Sequence, residues 1–385
     1  MRSALALTAV LLAALAAGLP LALAGRPIIV GAAEDAGKQG DLLAAEAKMS
    51  LAQLAGFDAI RATAIWAPGE DEIGGDDLLG LTNAADAASL EGIRLFVSVY
   101  PYGSGTTPLT PTARAQFASY AASIPRLVPY VHDIIVGNEP NLNRFWMPQF
   151  TPRGLDAAAS SYLSLLALTY DRIKADTPGV TVIGGALSPR GGDDPTSIRP
   201  THSPTVFIRD LGLAYRRSHR TRPIMDWFSF HPYLETSRLP PSFTHPRTTT
   251  IAIADYGKLV ALLGQAFDGT AQPGSTLPIL YDEFGVQTAT FDPVKRLLYT
   301  NEAKPSADDA VDEATQARYY RQALQLVACQ RNVVGLLFFH VSDEADLDRW
   351  QSGVYYADDT PKSSLPAVRA AAEAARDGRL RGRCG

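Results

Sequence analysis

Cysteine is nearly absent from this chain: 385 residues hold two, Cys329 and Cys384. They leave room for a single disulfide, which would tie the C-terminal tail to a late helix. Histidine is also scarce. The six histidines are scattered, and none falls in an HExxH or other metal-ligand pattern. Positive charge has no surplus, with 35 Lys and Arg against 40 Asp and Glu. No basic stripe interleaved with aromatics appears, which argues against a nucleic-acid binder. Beyond the N-terminus no apolar run approaches the roughly eighteen residues of a membrane-spanning helix. A glycine-rich phosphate fingerprint after the first strand, an internal repeat and a low-complexity linker are all missing.

The first 24 residues read as a secretory signal peptide. Arg2 is the only charge before Arg26, an apolar stretch runs from Ala4 to Ala17, and Ala22-Leu23-Ala24 fits a small-residue cleavage site. The apolar core is short for a membrane anchor, and no stop-transfer charges follow it. The expected product is a secreted or cell-envelope protein starting at Gly25, a monomer, with the Cys329–Cys384 bridge permitted by export.

Short apolar runs then alternate with helix-like segments. The candidate strands are Pro27–Gly31, Ala59–Ile65, Arg94–Val99, Asp133–Val136, Val180–Ile183, Trp227–Phe230, Pro278–Tyr281 and Val333–Phe339. Candidate helices are Asp41–Ala55, one opening at Thr110-Pro111, Ser160–Ala175, Thr205–Arg217, Ala252–Leu263, Ala314–Cys329 and Leu365–Ala375. Threonine before proline is a good helix start, an N-cap followed by a residue with preset φ. Long loops are expected at Ser188–Pro204 and Asn301–Asp312. Eight continuous apolar strands alternating with helices predict a parallel sheet buried on both faces. Closed on itself, that sheet is a single-domain (β/α)8 TIM barrel spanning residues 25–385. An open doubly wound sheet is the other arrangement.

In such a barrel the reactive residues stand at the C-terminal strand ends. Strand two ends near Arg61, Thr63 and Trp66, and strand three in Tyr100-Pro101-Tyr102. Strand four ends in Asn138-Glu139-Pro140, strand six in His231-Pro232-Tyr233, and strand seven in Asp282-Glu283-Phe284. Strand eight ends in His340, with Trp350 beyond. Glu139 and Glu283 are far apart in sequence and converge only if the barrel closes. Two carboxyls flanking a pocket are what glycoside hydrolysis needs, with Trp66, Tyr102, Tyr233 and Trp350 available to stack on sugar rings. Asp282 is expected to face away from the mouth, and Glu70, Asp71 and Glu72 to be a solvated loop run.

The ordered set Asn-Glu-Pro on strand four, His-x-Tyr on strand six and Glu-Phe-Gly on strand seven resembles clan A of the glycoside hydrolases, and is similar to its families 5 and 39. The segment Tyr355–Pro366 (YYADDTPKSSLP) resembles the stretch after the last strand in many such barrels. The resemblance implies a retaining β-glycosidase acting on a poly- or oligosaccharide by double displacement. In that mechanism Glu139 is acid/base and Glu283 nucleophile. It further implies that Asn138 bonds the sugar 2-hydroxyl, Tyr233 orients Glu283, Arg61 supports its charge, and His231 lines the subsite floor. The clan often has tryptophan at the end of strand eight; here His340 stands there, and Trp350 is the candidate platform. No metal or cofactor is implied. The alternatives are a transglycosylase on the same scaffold, a catalytically silent carbohydrate-binding barrel, and a metal-dependent hydrolase, which would need a ligand cluster at the strand ends.

The cleavage expectation has a direct check. Mass spectrometry of the secreted protein should find Gly25 at the N-terminus; secreted material that keeps Met1 would refute it.

Overall fold

The computed structural model describes residues 26–290, 292–301 and 309–380. The proposed signal segment, most of the Asn301–Asp312 loop and Cys384 therefore lie outside the described residues. Cys329 is disulfide-bonded.

Eight parallel strands close a barrel in sequence order. They are β1 (Ile29–Ala33), β2 (Ala59–Trp66), β3 (Arg94–Pro101), β4 (Asp133–Val136), β5 (Thr181–Leu187), β6 (Trp227–Phe230), β7 (Ile279–Phe284) and β8 (Val333–Phe339). One main helix follows each strand: α1 (Leu42–Leu54), α2 (Gly75–Glu91), α3 (Pro111–Leu127), α4 (Ala158–Asp176), α5 (Pro204–Arg217), α6 (Tyr256–Phe267), α7 (Glu313–Cys329) and α8 (Leu365–Arg376). The single-domain barrel expected from the sequence is the observed fold. Among the described residues no helix is long and apolar enough to cross a membrane.

Local chemistry sets the helix starts. Asp41, Thr110 and Ser203 accept the backbone N–H three residues on, and Pro111 and Pro204 occupy the first helical position. Helix α2 has no counterpart among the helices expected from sequence. It starts on glycine without a side-chain cap, and its buried face is mostly alanine: Ala84, Ala85, Ala87 and Ala88. That face gives little hydrophobic contrast with the exposed one, so the periodicity is faint.

Two cores follow from the period-two alternation of strand side chains. Ala59, Phe96, Ile135, Ile183, Leu280 and Leu337 fill the barrel interior. Their strand neighbours, such as Ile60, Val97, Ile134 and Tyr281, belong to the larger layer between sheet and helices. Continuing the inward parity up each strand leads from Ala59 to Arg61 and Thr63, from Phe96 to Ser98 and Tyr100, and from Leu280 to Asp282.

Strand β7 carries the decisive irregularity. Tyr281 pairs with Leu336 and Phe284 with Phe338, so β7 advances three residues while β8 advances two. That is a bulge with one extra residue. Phe284 stays outward against Tyr320 of α7, which lets Asp282 and Glu283 both turn inward.

A buried ion pair pins the loop after β8. Lys362 Nζ lies 2.7 Å from Asp343 Oδ1, and both side chains are fully buried. Thr288 accepts a second bond from Lys362, and Tyr299 Oη donates to Asp343 Oδ2. Removing one partner strands the other charge away from water. Lys362→Met should cost about 3–5 kcal/mol in denaturant unfolding. Adding Asp343→Leu should restore much of the loss, whereas a single variant as stable as wild type would mean that the pair holds nothing in place.

Candidate active site

The stretch Gly137-Asn138-Glu139-Pro140 ends β4 with backbone that few residues adopt. Gly137 has φ +94°, and a Cβ there would sit 3.0 Å from the Tyr162 ring. Tyr162 Oη donates to Val136 O and accepts from Gly185 N–H, bridging β4 to β5. Glu139 has φ +40°, and Ala186, opposite it on β5, has φ +48°. Left-handed backbone costs a non-glycine residue on the order of 1–3 kcal/mol. The Glu139 N–H donates to Ala186 O at 2.8 Å, which locks the two turns together. The outcome is a carboxyl aimed across the mouth.

Glu283 is held by both oxygens. Arg61 Nη2 donates to Oε1 at 2.7 Å and Tyr233 Oη to Oε2 at 3.1 Å. Arg61 also reaches Asp282 Oδ2 at 3.0 Å, so one guanidinium spans the two consecutive acids of the β7 bulge. His231, fully buried, closes the arrangement. Its Nδ1 lies 3.1 Å from Glu139 Oε1 and 3.5 Å from Glu283 Oε2, and its Nε2 lies 3.4 Å from Asp282 Oδ1. The two catalytic candidates thus share one ring nitrogen. Their nearest oxygens can be no further apart than the sum of those two distances. Only a nearly straight arrangement about Nδ1 would reach the floor of the inverting range, roughly 6.5–9.5 Å.

The charges follow from this geometry. Burial alone would lower the His231 pKa, but Glu283 and Asp282 outweigh it and raise it to about 10. Burial likewise opposes the charge of Asp282, yet His231 and Arg61 hold its pKa below the usual carboxylate value. Tyr233 is pushed well above the ordinary phenol value by burial and by the neighbouring Glu283 and Glu139, so it remains a proton donor.

A cavity of about 920 Å³ opens over this cluster. Of the residues expected from sequence, Arg61, Asn138, Glu139, Tyr233, Glu283, His340 and Trp350 line it. His231 lies beneath them. Trp350 packs on Tyr233 at 5.1 Å between ring centroids and on Phe339 at 5.4 Å. His340 faces Glu34 Oε2 at 3.7 Å and Glu344 Oε2 at 3.6 Å. Burial opposes its protonation, and these two carboxylates reverse that and raise its pKa.

Three expectations need correction. Trp66 is not at the mouth: it lies on the outward parity of β2, fully buried against Phe117 of α3, and its Nε1 donates to Glu70 O. Tyr102 stands past the end of β3 and is 75% exposed, away from the cavity lining. Asp282 does not turn away. It keeps the inward parity of Leu280 and lies in the barrel beneath the mouth, bonded to Arg61, while the bulge turns Glu283 inward beside it.

Several lining residues were not singled out in the sequence: Tyr100, Arg144, Phe145, Arg190 and Glu235. Tyr100 and Tyr102 share the parity of Phe96, and what separates them is the strand end at Pro101, beyond which Tyr102 leaves the barrel. The others sit on loops, where no periodicity reports direction. Among the described residues no group of three or more His, Cys, Asp or Glu side chains is placed to hold a metal ion.

Solved structures match this architecture. A family 39 glycoside hydrolase from the gut symbiont Bacteroides cellulosilyticus WH2 matches with a TM-score of 0.62 and 20% identity, over 90% of this chain and 64% of that one. A family 39 β-xylosidase from Caulobacter crescentus matches with a TM-score of 0.55 and 16% identity, over 89% and 70%. A family 5 glycoside hydrolase from Streptomyces cattleya, in complex with GlcNAc, matches with a TM-score of 0.56 and 17% identity, over 92% and 81%. What these structures share with the chain is the closed (β/α)8 barrel. The chain spans about two thirds of the length of the family 39 structures. At these identities the likeness is one of fold. No protein-family model and no curated protein matches the sequence.

The His231 charge gives a pH-dependent stability. Its folded pKa lies above the free value near 6.5, so its contribution is complete below about pH 6.5 and is lost as pH rises through about 10. Denaturant unfolding of wild type and His231→Gln should show a stability gap that is constant at low pH and shrinks between these limits. A gap independent of pH would mean a neutral imidazole.

Proposed function

We propose that this protein is an exported retaining β-glycosidase that cleaves O-glycosidic bonds of a poly- or oligosaccharide. The observation that carries the reading is the asymmetric clamping of two close carboxyls. Glu283 is fixed at both oxygens by Arg61 and Tyr233. Glu139 is held at one oxygen by His231 and keeps the other free toward the cavity. A carboxylate held by two donors is oriented to attack along a fixed line, as a nucleophile requires. A carboxyl with one free oxygen can pass a proton to a leaving group, as an acid requires. The shared Nδ1 bounds the separation at about the floor of the inverting range or below, which favours retention over inversion.

The sequence of steps follows. Glu139 protonates the glycosidic oxygen as the bond to the anomeric carbon breaks, and Glu283 bonds that carbon. The leaving sugar departs, and water enters on the same face. Glu139 takes a proton from the water as it displaces Glu283. Tyr233 and Arg61 receive the freed carboxylate. Asn138, whose Oδ1 is buried without a partner, is placed to accept a hydrogen bond from a sugar hydroxyl. Trp350 and Tyr233 offer an apolar face to the ring. A sugar acceptor taking the place of water would make the same machinery a transglycosylase, and product analysis with added acceptor separates the two. A silent binding barrel would have little need for the doubly clamped Glu283.

The roles predict unlike mutants. Glu139→Ala should still cleave aryl β-glycosides with good leaving groups but deglycosylate slowly, and azide should rescue it as the β-glycosyl azide. Glu283→Ala should lose on the order of 10⁴-fold or more of activity, since the covalent route is gone. Proton NMR of early wild-type product should show the β-anomer. An initial α-anomer, or azide rescue exchanged between the variants, would overturn the assignment.

A further inference from the structure

The charges around the cavity are sorted. Glu34 and Asp35 after β1, Glu235 after β6, and Glu344, Asp346 and Asp348 after β8 form one arc of the lining. Most of these acids are already engaged. Glu34 accepts from the Ala36 and Val341 N–H groups, Asp35 from Thr63, and Glu235 from His245. On the opposite arc stand Arg144, in the β4–α4 loop, and Arg190, in the β5–α5 loop.

Neither arginine has an ion-pair partner among the described residues, whereas the other two arginines of the lining do. Arg61 pairs with Asp282 and Glu283, and Arg349 with Glu344. Arg144 and Arg190 are nonetheless positioned. The Arg144 guanidinium lies 5.3 Å over the Phe145 ring, which packs edge-on against Tyr100. Arg190 Nη1 donates to Tyr233 O at 3.5 Å. Their loops are joined by Asn141, fully buried, which accepts from Ser188 N–H and donates to Ser188 O and His202 O. Two oriented guanidiniums with unfilled donors, on a wall braced from behind, form a site for an anion.

This wall adjoins Glu139. On the reading proposed above, which the present inference deepens, that is the side from which the leaving group departs and acceptors enter. We infer that Arg144 and Arg190 form a subsite for an anionic sugar, gripping its carboxylate or sulfate group on the acid/base side of the scissile bond. A neutral sugar would leave the remaining donors of both guanidiniums to water. An ammonium-bearing sugar would be repelled by them.

The test measures binding and needs no turnover. The full mature protein is titrated calorimetrically with matched pairs: glucuronate and glucose, galacturonate and galactose, mannuronate and mannose. The 6-sulfates of the three hexoses form a further arm. In at least one configuration the charged sugar should bind roughly tenfold more tightly than its neutral partner, as expected for a charge-assisted contact. Added salt should narrow the gap. The arm with the larger preference identifies carboxylate or sulfate as the natural group. The double variant Arg144→Gln/Arg190→Gln, checked by its unfolding midpoint, should abolish the preference. Equal binding of charged and neutral sugars in every pair, or a preference that survives the double variant, would overturn the inference. A protein that binds anionic sugars through these arginines yet cleaves no glycoside would instead refute the hydrolase reading and leave the subsite standing.

Discussion

Four buried charged groups, Arg61, His231, Asp282 and Glu283, form the interaction on which the site depends. Two cations face two anions within about 3.5 Å, largely out of water. Taking such groups out of solvent is expensive, and only mutual contact with good geometry offsets it. The groups come from β2, the end of β6 and β7, which are not all neighbours in the sheet, so the barrel must close before any of them is compensated. The rest of the mouth is attached to this interlock. Tyr233 and Trp350 pack above it, and Glu139 leans on its imidazole. Each cation faces both acids, so removing any one member leaves the cluster with an unbalanced buried charge.

Much of this could be read in the sequence, for physical reasons that also mark where reading fails. Buried parallel strands appear as apolar runs, and their C-terminal ends appear as the first polar residues after each run, so Glu139, His231, Tyr233 and Glu283 were visible. The same continuity hides which way a side chain points, because both faces of the sheet are apolar. Trp66 and Asp282 both point opposite to the expectation on that account. The first is outward by parity and the second inward by parity with Leu280, while Glu283 joins it only through a bulge that no local residue type announces. Helix α2 was missed because its buried side is alanine. Arg144 and Arg190 lie on loops, where the chain direction is set by contacts such as those of Asn141 and not by any repeat.

The matched solved structures are glycoside hydrolases that share the barrel at low identity, and a shared barrel alone does not carry chemistry. What favours hydrolysis is the site. A fixed carboxylate with two donors and a second carboxyl with one free oxygen sit beneath a cavity large enough for sugar rings. The left-handed backbone at Glu139 and Ala186 belongs to the same logic, since strained conformations persist where surrounding bonds over-determine them.

Asn141 has a mechanical consequence. By tying Ser188 and His202 to the turn that follows Glu139, it makes the β4–α4 and β5–α5 loops a single lever. Neither can swing without the other, and the Glu139–Ala186 bond ties both to the sheet. A molecule entering the mouth would meet the Glu139 carboxyl mounted on this coupled wall.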